Sequence, residues 1–156
     1  MREACYNKLM LKFSRSESDT FSAGAALAKE LAGGSIVLLS GFLGAGKTVF
    51  VKGVAAALGV TGEVLSPTFQ LMREYKAAGG LTLCHIDAYR LKNAAEAVEA
   101  GLAEAVGASD TVTCIEWHEH IAELFSGRTV VLVTIRQVNE TEREIVIVNT
   151  NHGRNK

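Results

Sequence analysis

Gly41-Phe42-Leu43-Gly44-Ala45-Gly46-Lys47-Thr48 fills every fixed position of the pattern G-x-x-x-x-G-K-[ST], and its flanks constrain the fold as strongly as the motif does. Just before it stands the unbroken apolar run Ile36-Val37-Leu38-Leu39, which suits a strand covered on both faces of a sheet. Just after it, residues 47–58 read as an apolar helix stopped by Gly59. A covered strand, a glycine turn at 41–46 and a helix together form the crossover unit of a parallel sheet. The dinucleotide-binding version of this turn is excluded, because its third glycine would fall on Val49.

The remaining segments set strands and helices around that unit. Residues 6–13 read as a first strand with Leu9, Leu11 and Phe13 on one face. Ser16 to Asp19 offer caps for a helix over 19–32, with Phe21, Leu27, Ala28 and Leu31 as its apolar stripe and Gly33-Gly34 as its stop. Residues 69–75 and 81–86, joined by Ala78-Gly79-Gly80, predict an antiparallel hairpin. A helix is expected over 93–106, with Val98, Leu102 and Val106 at helical spacing, then a strand at 111–115 and a helical segment at 118–125. Strands at 129–136 and 143–149 close the chain around the polar turn 139–142. The expectation is an α/β, P-loop NTPase-like three-layer fold with a central mixed β-sheet. Residues 1–150 form one domain in this reading and 151–156 a flexible tail.

With 156 residues, 48% hydrophobic, 21% charged and a single proline, the chain is neither disordered, nor collagenous, nor a disulfide-stapled miniprotein. Its 16 basic and 17 acidic residues leave a net charge of −1, so it is not expected to wrap nucleic acid unaided. If RNA matters, a partner holds most of it. Cys5, Cys84 and Cys114 form no metal-type spacing and read as reduced, buried thiols. Residues 1–6 lack the apolar stretch of a secretion signal and no run approaches membrane length, so a cytoplasmic location without membrane contact is expected.

The motif also carries chemistry. Glycines let successive backbone N–H groups curl around phosphate oxygens, and the following helix points its positive end at the same anion. Lys47 is placed to reach β- and γ-phosphates and the Thr48 hydroxyl to ligate Mg2+. The metal also needs a carboxylate at the end of a neighbouring strand, and there are two candidates, Asp87 and Glu116. Spacing alone does not divide their roles. Ser66-Pro67-Thr68 lies where many nucleotide hydrolases sense the γ-phosphate, although a plain turn fits it as well. His85, His118 and His120 read as surface or packing residues, and Trp117 as either core or an exposed aromatic contact. Adenine is favoured over guanine because no Asn-Lys-x-Asp reader follows the motif, and no Leu-Ser-Gly-Gly signature of transporter ATPases occurs. A small-molecule kinase and a nucleotide-gated binding module stay open as alternatives.

Four ordered motifs extend the reading: residues 41–48, Ser66-Pro67-Thr68-Phe69, His85-Ile86-Asp87-Ala88-Tyr89-Arg90-Leu91 and Ile115-Glu116-Trp117. Together they resemble the TsaE (YjeE) family, the bacterial ATPases of tRNA threonylcarbamoyladenosine biosynthesis, from residue 20 through Arg143-Glu144-Ile145. The resemblance implies ATP with Mg2+ and assembly with a TsaB–TsaD heterodimer, tRNA being met only through that complex. ATP hydrolysis would be weak in the isolated chain and would support repeated turnover of the complex. Carried over by motif, Lys47 is catalytic and Thr48 and Glu116 ligate Mg2+, with Asp87 a catalytic or supporting acid. Gly41, Gly44, Ala45, Gly46, Lys47, Thr48, Val49, Arg143 and Glu17 contact nucleotide, Ser66 and Thr68 form a switch loop, and Trp117 senses conformation or partner. Two residues depart from the family pattern. Phe42 replaces a polar residue, commonly aspartate, at a variable loop position, and His118 stands where proline or glycine follows Glu-Trp, which bears on loop shape and partner contact.

Overall fold

The structure, a computed structural model, describes residues 9–151. Cys5, residues 6–8 of the expected first strand and the tail from 152 lie outside the described residues. The strands are β1 (Leu9–Ser14), β2 (Ile36–Ser40), β3 (Met72–Lys76), β4 (Thr82–Asp87), β5 (Thr111–Glu116), β6 (Thr129–Gln137) and β7 (Arg143–Asn151). The helices are α1 (Glu17–Ala28), α2 (Lys47–Ala57) and α3 (Ala94–Glu99). All seven strands join one sheet in the order β1-β7-β6-β2-β5-β4-β3. Neighbours β6, β2, β5 and β4 run parallel, while β1, β7 and β3 pair antiparallel, so the sheet is mixed.

Side-chain alternation builds the two outer layers. Val37 and Leu39 of β2, Leu83 of β4 and Cys114 of β5 point into the core shared with α1 and α2. Ile36, Leu38, Ile86 and Ile115 point into the core shared with α3 and the 3₁₀ segment His118–Phe125. This is why Ile36 to Leu39 reads as a continuous apolar run: each face of β2 has its own cover.

Helices α1 and α2 touch through glycine. A Cβ at Gly53 would lie 1.9 Å from the Phe21 carbonyl oxygen, and one at Gly24 would lie 2.1 Å from that of Phe50. The contact sets α1 against α2 and so places Glu17 and Thr20 beside the start of α2.

Several expected elements are shorter or turned differently. Helix α1 ends at Ala28 rather than near 32, because Glu30 and Leu31 N–H groups close tighter turns onto Leu27 and Ala28. Phe21, expected in its buried stripe, is exposed. The helix expected over 93–106 is only Ala94–Glu99: Gly101 takes φ 78° and the Leu102 N–H returns to the Ala97 carbonyl at 3.0 Å. Val98 consequently faces solvent, whereas Leu102 and Val106 reach the core from the turns that follow. Strand β3 begins at Met72, since Pro67 to Leu71 is taken up by a turn. The segment at 118–125 winds as 3₁₀ turns kinked at Ile121.

Leu9, Leu11 and Phe13 do share one face of β1, but that face is 66%, 54% and 65% exposed, and Met10 on the other side packs toward α1 and α2. Cys84 and Cys114 are free and buried. Burial pushes the Cys84 thiol up to about 12, with Glu74 adding to the effect, and raises Cys114 further, so both are inert packing groups.

Candidate functional site

The carboxyl ends of the parallel strands β2, β4 and β5 open into a cleft of about 520 Å³. Its position follows from topology, because the turns leaving parallel strands gather at that edge. Glu17, Thr20, Gly44, Gly46, Lys47 and Thr48 line one side. Val49, Ser66, Thr68, Asp87, Glu116, Trp117 and Arg143 are further sequence-predicted residues on its wall, whereas Thr20 is an addition of the structure. Gly41 and Ala45 act through backbone instead. A Cβ at Gly41 would lie 2.6 Å from the Ile135 carbonyl oxygen, and the Ala45 carbonyl accepts from Arg143 Nε at 2.8 Å.

The loop reaches α2 through Gly46 at φ 107°, a conformation that costs glycine nothing and other residues heavily. No side chain caps α2, so its first N–H groups face the cleft from Gly46 onward. Lys47, the first residue of the helix, is buried. Its Nζ donates to the Gly41 carbonyl and, at 3.3 Å, to that of Phe42, and it sits 4.7 Å from the Trp117 ring centre. The lysine therefore lies folded back over its own loop.

Asp87 and Glu116 end adjacent parallel strands and face each other in register. Alternation points both toward α2. Thr48 Oγ1 donates to Glu116 Oε1 at 3.3 Å, so hydroxyl and carboxylate converge across the cleft. Asp87 Oδ1 accepts the Tyr89 N–H at 3.0 Å. Burial raises the Asp87 carboxyl above its ordinary range and the Glu116 charge adds to this, against the opposing Tyr89 hydrogen bond, His85 and Lys47.

His85 and Tyr89 were not anticipated as site residues. His85, read from sequence as a surface or packing residue, is fully buried with Nε2 2.9 Å from Glu116 Oε1. The signal was present: His85 and Asp87 are two apart on one strand and so share a face. Tyr89 lines the cleft, its ring centre 5.0 Å from that of Trp117. Trp117 itself lines the cleft in a left-handed conformation, φ 57°, which turns the chain away directly after Glu116. His118 and His120 do pack: His118 Nε2 lies 2.8 Å from Ser40 Oγ, and His120 Nδ1 lies 3.0 Å from the Ala88 carbonyl. Ser66 and Thr68 hydroxyls hydrogen-bond each other at 3.0 Å at the cleft edge.

The family model for threonylcarbamoyl adenosine biosynthesis protein TsaE matches residues 14–145, nearly the full described span. The chain belongs to the TsaE family. A tRNA threonylcarbamoyladenosine biosynthesis protein TsaE from Treponema pallidum is 41% identical over 134 residues, covering 86% of this chain and 96% of that protein. Its Streptomyces coelicolor counterpart is 42% identical over 123 residues, covering 78% of this chain and 82% of the relative. Among solved structures, that of YdiB from Bacillus subtilis superposes with a TM-score of 0.76 at 29% identity, over 94% of this chain and 88% of that one. The family places the chain in threonylcarbamoyladenosine biosynthesis on tRNA. Among the described residues, no helix of this TsaE-family chain is long and apolar enough to cross a membrane.

Proposed function

We propose that the chain is an ATPase subunit that binds ATP with Mg2+ and, by hydrolysing it, supports turnover of a TsaB–TsaD heterodimer in tRNA modification. The observation that carries this reading is the convergence of the 41–48 loop, Lys47, Thr48, Asp87 and Glu116 on one cleft at the ends of parallel strands. A triphosphate is an extended polyanion, and the cleft offers it backbone N–H groups, a helix N-terminus and a lysine.

The donor set fits Mg2+. Among the described residues no three or more His, Cys, Asp or Glu side chains are grouped to hold a metal by themselves. Magnesium in phosphate sites takes one or two protein oxygens and completes its shell with water and phosphate. Thr48 and Glu116, already in contact, would hold it. When bound it neutralises charge on the β- and γ-phosphates during transfer. Lys47 leaves its loop carbonyls for the γ-phosphate. Arg143, anchored on the Ala45 carbonyl, flanks the loop, and Glu17 approaches from α1. Asp87, whose carboxyl burial raises above its ordinary range, orients the attacking water and takes up its proton.

Tyr89 and Leu43, both exposed, line the cleft, and Phe42 and Phe69, which adjoin the lining residues Leu43 and Thr68 in the chain, are exposed as well. An apolar rim of this kind supports contact with a partner protein over the nucleotide. tRNA is met only through that partner, in keeping with the net charge of −1.

Steady-state ATP hydrolysis, measured for the chain alone and then with TsaB–TsaD and tRNA, tests the proposal. Slow hydrolysis that the partners accelerate is the expected result. Phosphate transfer to a small metabolite without partners, or assembly that needs ATP but is indifferent to its hydrolysis, would replace the proposal with a kinase or a nucleotide-gated binding module.

A further inference from the structure

We infer that His85 is a positioning residue for Glu116: it fixes the carboxylate so that one oxygen is held by the protein and the other is presented to Mg2+. The inference rests on the proposed reading of Thr48 and Glu116 as the metal-holding pair. Its own ground is the hydrogen-bond geometry behind that pair.

Glu116 Oε1 has two donors in reach, His85 Nε2 at 2.9 Å and Thr48 Oγ1 at 3.3 Å. A carboxylate oxygen with two donors is largely saturated, which leaves Oε2 as the oxygen available to a cation. The ionised carboxylate only accepts, so its partner assigns the ring proton to Nε2. His85 Nδ1 is buried and has no hydrogen-bond partner, and a bare lone pair there is what the Nε2–H tautomer provides. Placing the proton on Nδ1 instead would bury an unmet donor and set a lone pair against a carboxylate oxygen, two penalties at once.

The ring has no freedom to relax away from this arrangement. His85 is fully buried in a strand whose neighbours are Arg73 of β3 on one side and Cys114 of β5 on the other. Glu116 is the last residue of β5, and the chain turns sharply at Trp117, so the backbone alone does not dictate the carboxylate's orientation. A buried imidazole two residues before Asp87 therefore constrains a group at the end of the adjacent strand. Partners of this kind behind a metal-binding carboxylate typically contribute 10- to 100-fold in metal affinity.

The test compares His85→Gln, His85→Asn and His85→Leu in the full chain, with the half-saturating Mg2+ concentration for ATP binding as readout. Gln carries its amide donor about as far out as Nε2, whereas Asn is too short to reach Glu116 with the same chemistry. The Mg2+ requirement is expected to stay within ~3-fold of wild type for Gln and to rise about 10- to 100-fold for Asn and Leu. Binding of ATP without Mg2+ is expected to be unchanged in all three, which a merely structural defect would not spare. Should Leu fail to fold, the Gln and Asn pair decides alone. A spectroscopic measurement needs no ligand: ¹⁵N shifts of the wild-type imidazole are expected to show the Nε2–H tautomer. An Nδ1–H tautomer, or equal Mg2+ requirements for Gln and Asn, would overturn the inference. Wild-type protein that binds ATP normally while these arms fail sinks the inference alone. Wild-type protein that binds no ATP at any Mg2+ concentration sinks the proposed function with it.

Discussion

Replacing Lys47 by methionine keeps the apolar stem and removes the ammonium, and the structure sets the size of two separate effects. The first is on stability. Nζ donates to the Gly41 and Phe42 carbonyls. Residue Phe42 is 88% exposed, so water can replace the ammonium at its carbonyl, and the main loss is at Gly41. Gly41 is only partly buried, so its unmet carbonyl costs about 1 kcal/mol, at the low end of the usual range. For a chain of this size that is about 2–4 °C in Tm. The second effect is on nucleotide affinity. Charge-assisted hydrogen bonds contribute about 1.5–3 kcal/mol, but this ammonium exchanges two carbonyls for phosphate oxygens and keeps only the difference. The low end applies, and at 1.4 kcal/mol per factor of ten, ATP binding should weaken about 10- to 30-fold. Trp117 is the chain's only tryptophan and lies 4.7 Å from Nζ, so its fluorescence reports both the lysine's departure and ligand binding in a titration. A Lys47→Met protein that is folded and binds ATP within ~3-fold of wild type would mean that the lysine makes no phosphate contact.

Asp87→Asn is expected to raise Tm at neutral pH while abolishing hydrolysis. Burial lifts the Asp87 carboxyl, so the folded chain holds that proton more tightly than the unfolded chain, and the associated stability is lost as pH rises through the folded pKa. The advantage of Asn should therefore shrink as pH falls toward the ordinary aspartate value, and a gap that widens in acid would contradict the cause given. Gly53→Ala forces a methyl group to within 1.9 Å of the Phe21 carbonyl oxygen. Overpacking of this kind costs about 1–3 kcal/mol, so a melt should fall by roughly 2–12 °C, with ATP affinity reduced because α2 carries Lys47 and Thr48. Glu116→Gln keeps an acceptor for His85 and Thr48, so its melting point should stay within about 2 °C of wild type while Mg2+-dependent hydrolysis drops at least ~10-fold.

The centre of this fold was legible because several signals agreed there. The Ile36 to Leu39 run, the glycines of 41–46 and the apolar helix after Lys47 each specify the same strand–loop–helix unit. Asp87 and Glu116 were legible as strand-end acids, but their pairing depended on β4 and β5 being neighbours, which strand order decides and local pattern does not. His85 reads from sequence as a surface or packing residue because a histidine within an apolar strand usually is one. Only its parity with Asp87 connects it to the cleft. The left-handed turn at Trp117 has no sequence signature, since glycine or asparagine is the residue expected there. The overlong helix at 93–106 shows the opposite failure. Alanine and glutamate favour helix throughout, yet Gly101 at φ 78° ends it after six residues, and Leu102 reaches the core without helical geometry. On β1, alternation identified a face but not its surroundings: α1 and α2 cover the Met10 side, leaving Leu9, Leu11 and Phe13 outward.

A crystal structure of the chain with a non-hydrolysable ATP analogue and Mg2+ decides whether the 41–48 loop is the phosphate site. The triphosphate is expected to be wrapped by residues 41–48, with Lys47 withdrawn from the Gly41 carbonyl and the metal between Thr48 and Glu116. Nucleotide bound elsewhere, or a loop left empty with Lys47 still folded over it at saturating ligand, would contradict it.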